Sequence, residues 1–220
     1  MNIRDFLKDK NNRLYLAICL LIFAFGVYLR VDGIQHRSLE YDEIWTLGNY
    51  VTASNSKIFT DVATPNNHPL NSFLIKYSIA AFGLENWTVR LPSLIAGILL
   101  LPLAWLTARC VTGSNLASLI ALAACAMNGA LIHFSSAGRG YSMQTFFVIL
   151  AVASVMLYRQ AKPKVKALLP LLLFVGAFGS CLSVSSGIIF ILSAAASYAL
   201  FFIYFRRLKD ELIEYRFPAI

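Results

Sequence analysis

Charge is scarce in this chain: only 14% of its 220 residues are Asp, Glu, Lys or Arg, where a soluble domain carries about 25%. No CxxC pair occurs among its four cysteines, and there is no internal repeat or low-complexity linker. Those absences exclude a cysteine-based zinc or redox motif, a solenoid and a tethered disordered arm. Cys19, Cys110, Cys125 and Cys181 all lie in or beside apolar runs and read as packing residues. A basic soluble face is also missing, so the net charge of +8 points to lipid headgroups and excludes a nucleic-acid partner.

What is present is hydrophobic: 58% of the residues, with a mean hydropathy of +0.66. Apolar runs of about 18 residues or more read as spanning helices. Six occur, near 14–31, 91–108, 116–134, 141–158, 167–184 and 187–205. A seventh run, 69–83, is shorter and carries Asn71 and Lys76, which predicts an interfacial helix. With that run outside and the N-terminus cytoplasmic, thirteen of the nineteen Lys and Arg lie inside, as the positive-inside bias requires. If the short run spanned, the 159–166 basic cluster would move outside.

The expected architecture is therefore an all-α polytopic bundle in the plasma (inner) membrane. It is one transmembrane domain over 1–220, with a first span at 14–31, a long external loop at 32–89 and five further spans within 91–205. The first apolar run is too long for a cleaved signal peptide and reads as a retained anchor. The charged segment 206–220 stops abruptly, which predicts that this is the N-terminal part of a longer chain.

The external loop holds the chemistry. Glu40, Asp42 and Glu43 place three acids in four positions, where mutual repulsion either raises one pKa or requires Arg30, Arg37 or a metal ion as partner. The cluster is either a solvated acidic turn capping a helix that starts near Ile44, or the general base of a site that deprotonates a hydroxyl or amine. Asn66-Asn67-His68-Pro69 is a helix start, with proline in the first turn. His68 there is either wet and interfacial or a ligand for an anion at the helix N-terminus. Arg90 and Arg139 sit at the external ends of the second and fourth spans. They either snorkel to headgroups or bind an anion such as phosphate, which a guanidinium matches bidentately.

Four features in order resemble the polytopic C-type glycosyltransferases related to protein O-mannosyltransferases and their bacterial relatives. They are Asp42-Glu43 after the first span, His68-Pro69-Leu70 opening an amphipathic helix, Arg90-Leu91-Pro92-Ser93 opening the second span, and the stretch from Ala137 to Ser142 opening the fourth. The chain departs from that pattern at Leu70, where the family has a second proline, and at Gly138, which shifts the arginine by one residue. The resemblance implies transfer of a sugar from a polyprenyl-phosphate donor, with inversion, to a lipid, glycan or protein acceptor on the external face. Asp42 matches the catalytic base and Glu43 would orient acceptor or donor. Arg90 and Arg139 would lie near the donor phosphate, and His68, Tyr141 and Glu40 complete the expected binding set. Relatives that use monophosphate-linked donors need no metal, so no cofactor is expected. The competing reading is a non-catalytic membrane subunit or a transporter-like module, but the span interiors carry little polarity beyond Asn128 and His133.

Overall fold

The computed structural model describes residues 10–35, 37–61, 64–158, 161–197 and 200, and among these there is no β-strand. The all-α expectation holds. Helix α1 runs Lys10–Gln35, α2 Tyr41–Thr46, α3 Asn55–Thr60, α4 Pro69–Phe82 and α5 Asn86–Thr112. Then come α6 (Asn115–Met127), α7 (Gly129–Ser135), α8 (Tyr141–Leu157), α9 (Pro163–Ser183) and α10 (Gly187–Ser197). A π-helical turn, Leu47–Val51, continues α2.

The helices Lys10–Ile34, Asn86–Thr112 and Pro163–Ser183 are long and apolar enough to cross a membrane. Their outer surfaces carry large exposed side chains such as Leu20, Leu21, Phe174 and Phe178, which suits lipid and not water. The expected fourth span is a 17-residue helix, and the sixth begins as α10. Most of the remainder of that sixth run, and the basic segment 206–220, lie outside the described residues, as do Arg4, Lys8 and Arg159.

The third expected span, 116–134, is not one helix. It bends by 58° between α6 and α7, where Asn128 leaves the helical conformation and its Oδ1 accepts the Leu131 amide at 3.0 Å. Asparagine is a favoured cap, so the amide ends one helix and starts the next. A break inside an apolar layer strands carbonyls that lipid cannot satisfy. Arg30 supplies the missing donors. Its guanidinium, fully buried, reaches the carbonyls of Cys125 (2.9 Å), Ala126 (3.3 Å) and Gly26 (2.8 Å). The expectation that Arg30 neutralises the acidic cluster is thereby corrected, because its N–H groups are directed to α6 and α1.

At one end of the bundle, Cys19, Leu101, Leu122 and Ala126 form an apolar core between α1, α5 and α6. Tyr15 ties these helices through Ser118 Oγ (2.7 Å) and accepts the Trp105 indole N–H (2.8 Å). Higher up, α5 meets α7 and α8 at Gly97, where a Cβ would lie 2.0 Å from Ser135 Oγ. Only a glycine permits that approach.

Helix α4 is inside out by the standards of a soluble helix. Asn71, Ser72, Ile75 and Ser78 are buried, whereas Leu74, Tyr77 and Phe82 are exposed. Its 14 residues extend roughly 21 Å, short of the ~30 Å hydrocarbon core. The polar face earns its burial at the start of α5. Pro92 has no N–H to offer the Thr88 carbonyl four residues back, and Ser78 Oγ donates to it instead at 2.8 Å.

Candidate active site

Three acids and three arginines pair off around the first turn of α2. Glu40 takes Arg37, Asp42 takes Arg139 and Glu43 takes Arg90. The acidic cluster is thus neither a bare solvated turn nor a set of like charges left to repel. Part of the capping reading holds, since Glu43 accepts the Glu40 amide at 2.7 Å as a capping-box acid, but the helix starts at Tyr41 and not near Ile44.

Glu43 and Arg90 are both fully buried. Glu43 Oε1 accepts Arg90 Nε (2.8 Å) and the Gly138 amide (2.6 Å), while Oε2 accepts Arg90 Nη2 (2.8 Å) and the Glu40 amide. A carboxylate offers about four acceptor sites, so Glu43 has none left for a substrate. Burial alone pushes this carboxyl up. The Arg90 fork and the two amides together outweigh that and hold it below the usual carboxylate range. Arg90 is equally committed. Nη1 also donates to the Arg37 (2.8 Å) and Ile34 (3.2 Å) carbonyls, and Nη2 to Ser38 (2.7 Å), so every N–H of the guanidinium is engaged.

Asp42, one residue earlier, faces the other way, and its side chain is 46% exposed. Its partner Arg139 comes from the turn between α7 and α8. Beyond Asp42, Arg139 donates Nε to His68 Nε2 at 3.1 Å and approaches the Tyr141 hydroxyl at 3.5 Å, with the Tyr141 ring 5.5 Å from the guanidinium carbon. Because Nε2 accepts, His68 is neutral with its proton on Nδ1. Burial and the Arg139 charge push its pKa down to about 4, although the Ser183 carbonyl and Asp42 work in the opposite direction. At 2% exposure His68 is buried, which removes the wet interfacial alternative. It lies edge-on to Tyr141, ring centroids 5.1 Å apart, and Tyr141 in turn packs on Phe134 at 4.7 Å.

The structure therefore brings Asp42, Arg139, His68 and Tyr141 to one partly open place. It sets Glu43 and Arg90 directly beneath as a closed ion pair. Glu40 and Arg37 form the rim, where Arg37 also meets His133 Nδ1 at 3.2 Å. The residues that hold the Arg139 turn lie outside the expected binding set. Asn71 Nδ2 donates to the Gly138 carbonyl (2.9 Å), and Ser93 Oγ donates to the Arg139 carbonyl (2.8 Å) and contacts Asn71 Oδ1 (3.1 Å). The available signals were an asparagine on an otherwise apolar helix and the serine that ends Arg90-Leu91-Pro92-Ser93. Gly138, a departure from the family pattern, has a physical reason here. A Cβ at that position would sit 2.9 Å from Val89 Cγ1 and 3.1 Å from Glu43 Oε1.

No curated protein and no solved structure matches the chain. The profile of the dolichyl-phosphate-mannose-protein mannosyltransferase family matches residues 64–216. The matched stretch contains His68, Asn71, Arg90, Ser93, Arg139 and Tyr141, and the acids at 40–43 precede it. With the match spanning well over half of the sequence and the helices apolar enough for a membrane, the chain belongs to the dolichyl-phosphate-mannose-protein mannosyltransferase family, membrane glycosyltransferases of the mannosyltransferase type.

Proposed function

We propose that this protein transfers a sugar from a polyprenyl-phosphate donor to an acceptor on the external face of the plasma (inner) membrane, with inversion and with Asp42 as general base. The observation that carries this reading is the contrast between adjacent acids. Glu43 is saturated and sealed, whereas Asp42 is half-exposed and pairs with the Arg139 guanidinium, which unlike that of Arg90 is not fully committed to the protein.

In the reaction, Asp42 takes the proton of an acceptor hydroxyl or amine. The acceptor atom attacks the anomeric carbon as the bond from that carbon to the phosphate oxygen breaks. The electron pair leaves with the polyprenyl phosphate, and Arg139 meets the charge that develops there. A donor phosphate on Arg139 competes with the Asp42 carboxylate for the same guanidinium, so donor binding frees the base as it loads the leaving group. His68 and Tyr141 keep Arg139 oriented, while Glu43 and Arg90 support the floor. Of the two arginines that the family resemblance places near the donor phosphate, Arg139 takes the role alone, since Arg90 has no N–H to spare.

Helix α4 supports a membrane-surface setting, with its exposed apolar face toward lipid and its polar face under the site. The acceptor is a lipid, a glycan or a protein. The test is sugar transfer from polyprenyl-phosphate mannose by the full chain in lipid nanodiscs. Failure with every polyprenyl-phosphate sugar offered would sink the donor assignment.

A further inference from the structure

The turn that carries Arg139 is held from outside itself. The Gly138 amide donates to Glu43 Oε1 (2.6 Å), the Gly138 carbonyl accepts from Asn71 Nδ2 (2.9 Å), and the Arg139 carbonyl accepts from Ser93 Oγ (2.8 Å). Asn71 and Ser93 are themselves coupled at 3.1 Å, and both are buried, at 1% and 0% exposure. His68 and Asn71 stand three residues apart at the start of α4, a spacing that puts them on one face of a helix. One meets the guanidinium at Nε, and the other holds the peptide from which that side chain springs. A long arginine side chain has many rotamers open to it, so fixing both ends is what gives its Nη atoms a defined direction.

We propose that Asn71, together with Ser93, is a positioning residue for Arg139. Its carboxamide aims the guanidinium at the donor phosphate without touching substrate. This rests on the transferase reading above, in which Arg139 meets the leaving group. The mechanism predicts a specific kinetic pattern. A turn that slips weakens the phosphate contact in the ground state. Because negative charge builds up on the leaving phosphate, it weakens that contact more in the transition state, so the donor KM rises and kcat falls while the acceptor KM stays put. A side chain that merely stabilised the fold would lower the active fraction, reducing kcat and leaving both KM values unchanged.

The experiment compares full-length wild type, Asn71→Ala and Ser93→Ala in nanodiscs. Ser93→Ala is the smaller change and serves if Asn71→Ala does not fold. Two readouts are taken: steady-state kinetics with a polyprenyl-phosphate sugar, and hydrogen exchange of the peptide covering 137–140. The expected result is a loss of up to about 10²-fold in donor kcat/KM, split between KM and kcat, with faster exchange in that peptide. Wild-type kinetics, or a fall in kcat alone, overturns the proposal. If wild type itself turns over no polyprenyl-phosphate sugar, the transferase reading fails on its own account. Unchanged exchange at 137–140 then overturns the positioning role as well, and faster exchange upholds the anchoring.

Discussion

Glu43 and Arg90 meet fork to fork, Nε on Oε1 and Nη2 on Oε2, both at 2.8 Å and both with no exposed surface. The pair joins the α2 turn to the first turns of α5, and through Gly138 it reaches the start of α8. Its neighbour in sequence, Asp42, shares none of this. Successive helical residues point about 100° apart, so one acid of a consecutive pair can be sealed into the floor while the other opens onto the surface.

Asp42→Asn and Glu43→Gln should therefore fail in different ways. The first leaves a folded, membrane-inserted protein whose transfer rate drops by ~10²–10⁴-fold, the usual loss for a general base. The second leaves Arg90 buried without its counter-charge, a defect worth about 3–5 kcal/mol, seen as a lower unfolding midpoint in detergent. Equal stability in the two variants would contradict the division of labour.

Competition for Arg139 gives a second outcome. Removing the Asp42 charge should tighten binding of a polyprenyl monophosphate, roughly 5–150-fold for a typical coupling of this kind, even as turnover collapses. Arg139→Lys should weaken it, because an ammonium cannot present a fork. Titration of both variants against the monophosphate lipid decides the matter; weaker binding in Asp42→Asn would refute the exchange.

Acid should loosen the site through His68. Its folded-state pKa lies near 4, against an ordinary 6.5, so between those values the unfolded chain holds a proton that the folded chain does not. Stability is then full above pH 6.5 and falls as the pH drops toward 4. Glu43 has the opposite kind of group but the same sign: its depressed carboxyl loses its contribution only at lower pH, below the usual carboxylate range. His68→Gln keeps an acceptor for Arg139 Nε and cannot titrate. Unfolding midpoints measured across this window should show a shallower slope in His68→Gln, and an identical slope would rule His68 out as the source.

The cation distribution predicts the sidedness. Single cysteines in place of the exposed Lys57 and Lys164, in a background with the exposed Cys110 changed to Ser, should label from opposite faces of sealed vesicles. Labelling from the same face would overturn the six-span topology and the external placement of Asp42.

The class of this protein is legible in its residues alone. Long apolar runs bury backbone polarity only as helices, so an all-α membrane bundle follows from composition and run length alone. The order of the short motifs at 42–43, 68–70, 90–93 and 137–142 pointed to the glycosyltransferase family, because those motifs are local strings that survive without knowledge of contacts. Which of these residues still face outward depends on contacts far apart in the chain. Glu43 finds Arg90 across 47 residues and Gly138 across 95, and Asn71 finds Gly138 across 67. The break at Asn128 is tolerated because Arg30 arrives from another helix to satisfy its carbonyls. Whether a charged side chain is a buried strut or a reactive group depends on the partner that desolvates and neutralises it. That partner is set by helix packing, which no local pattern in the chain records.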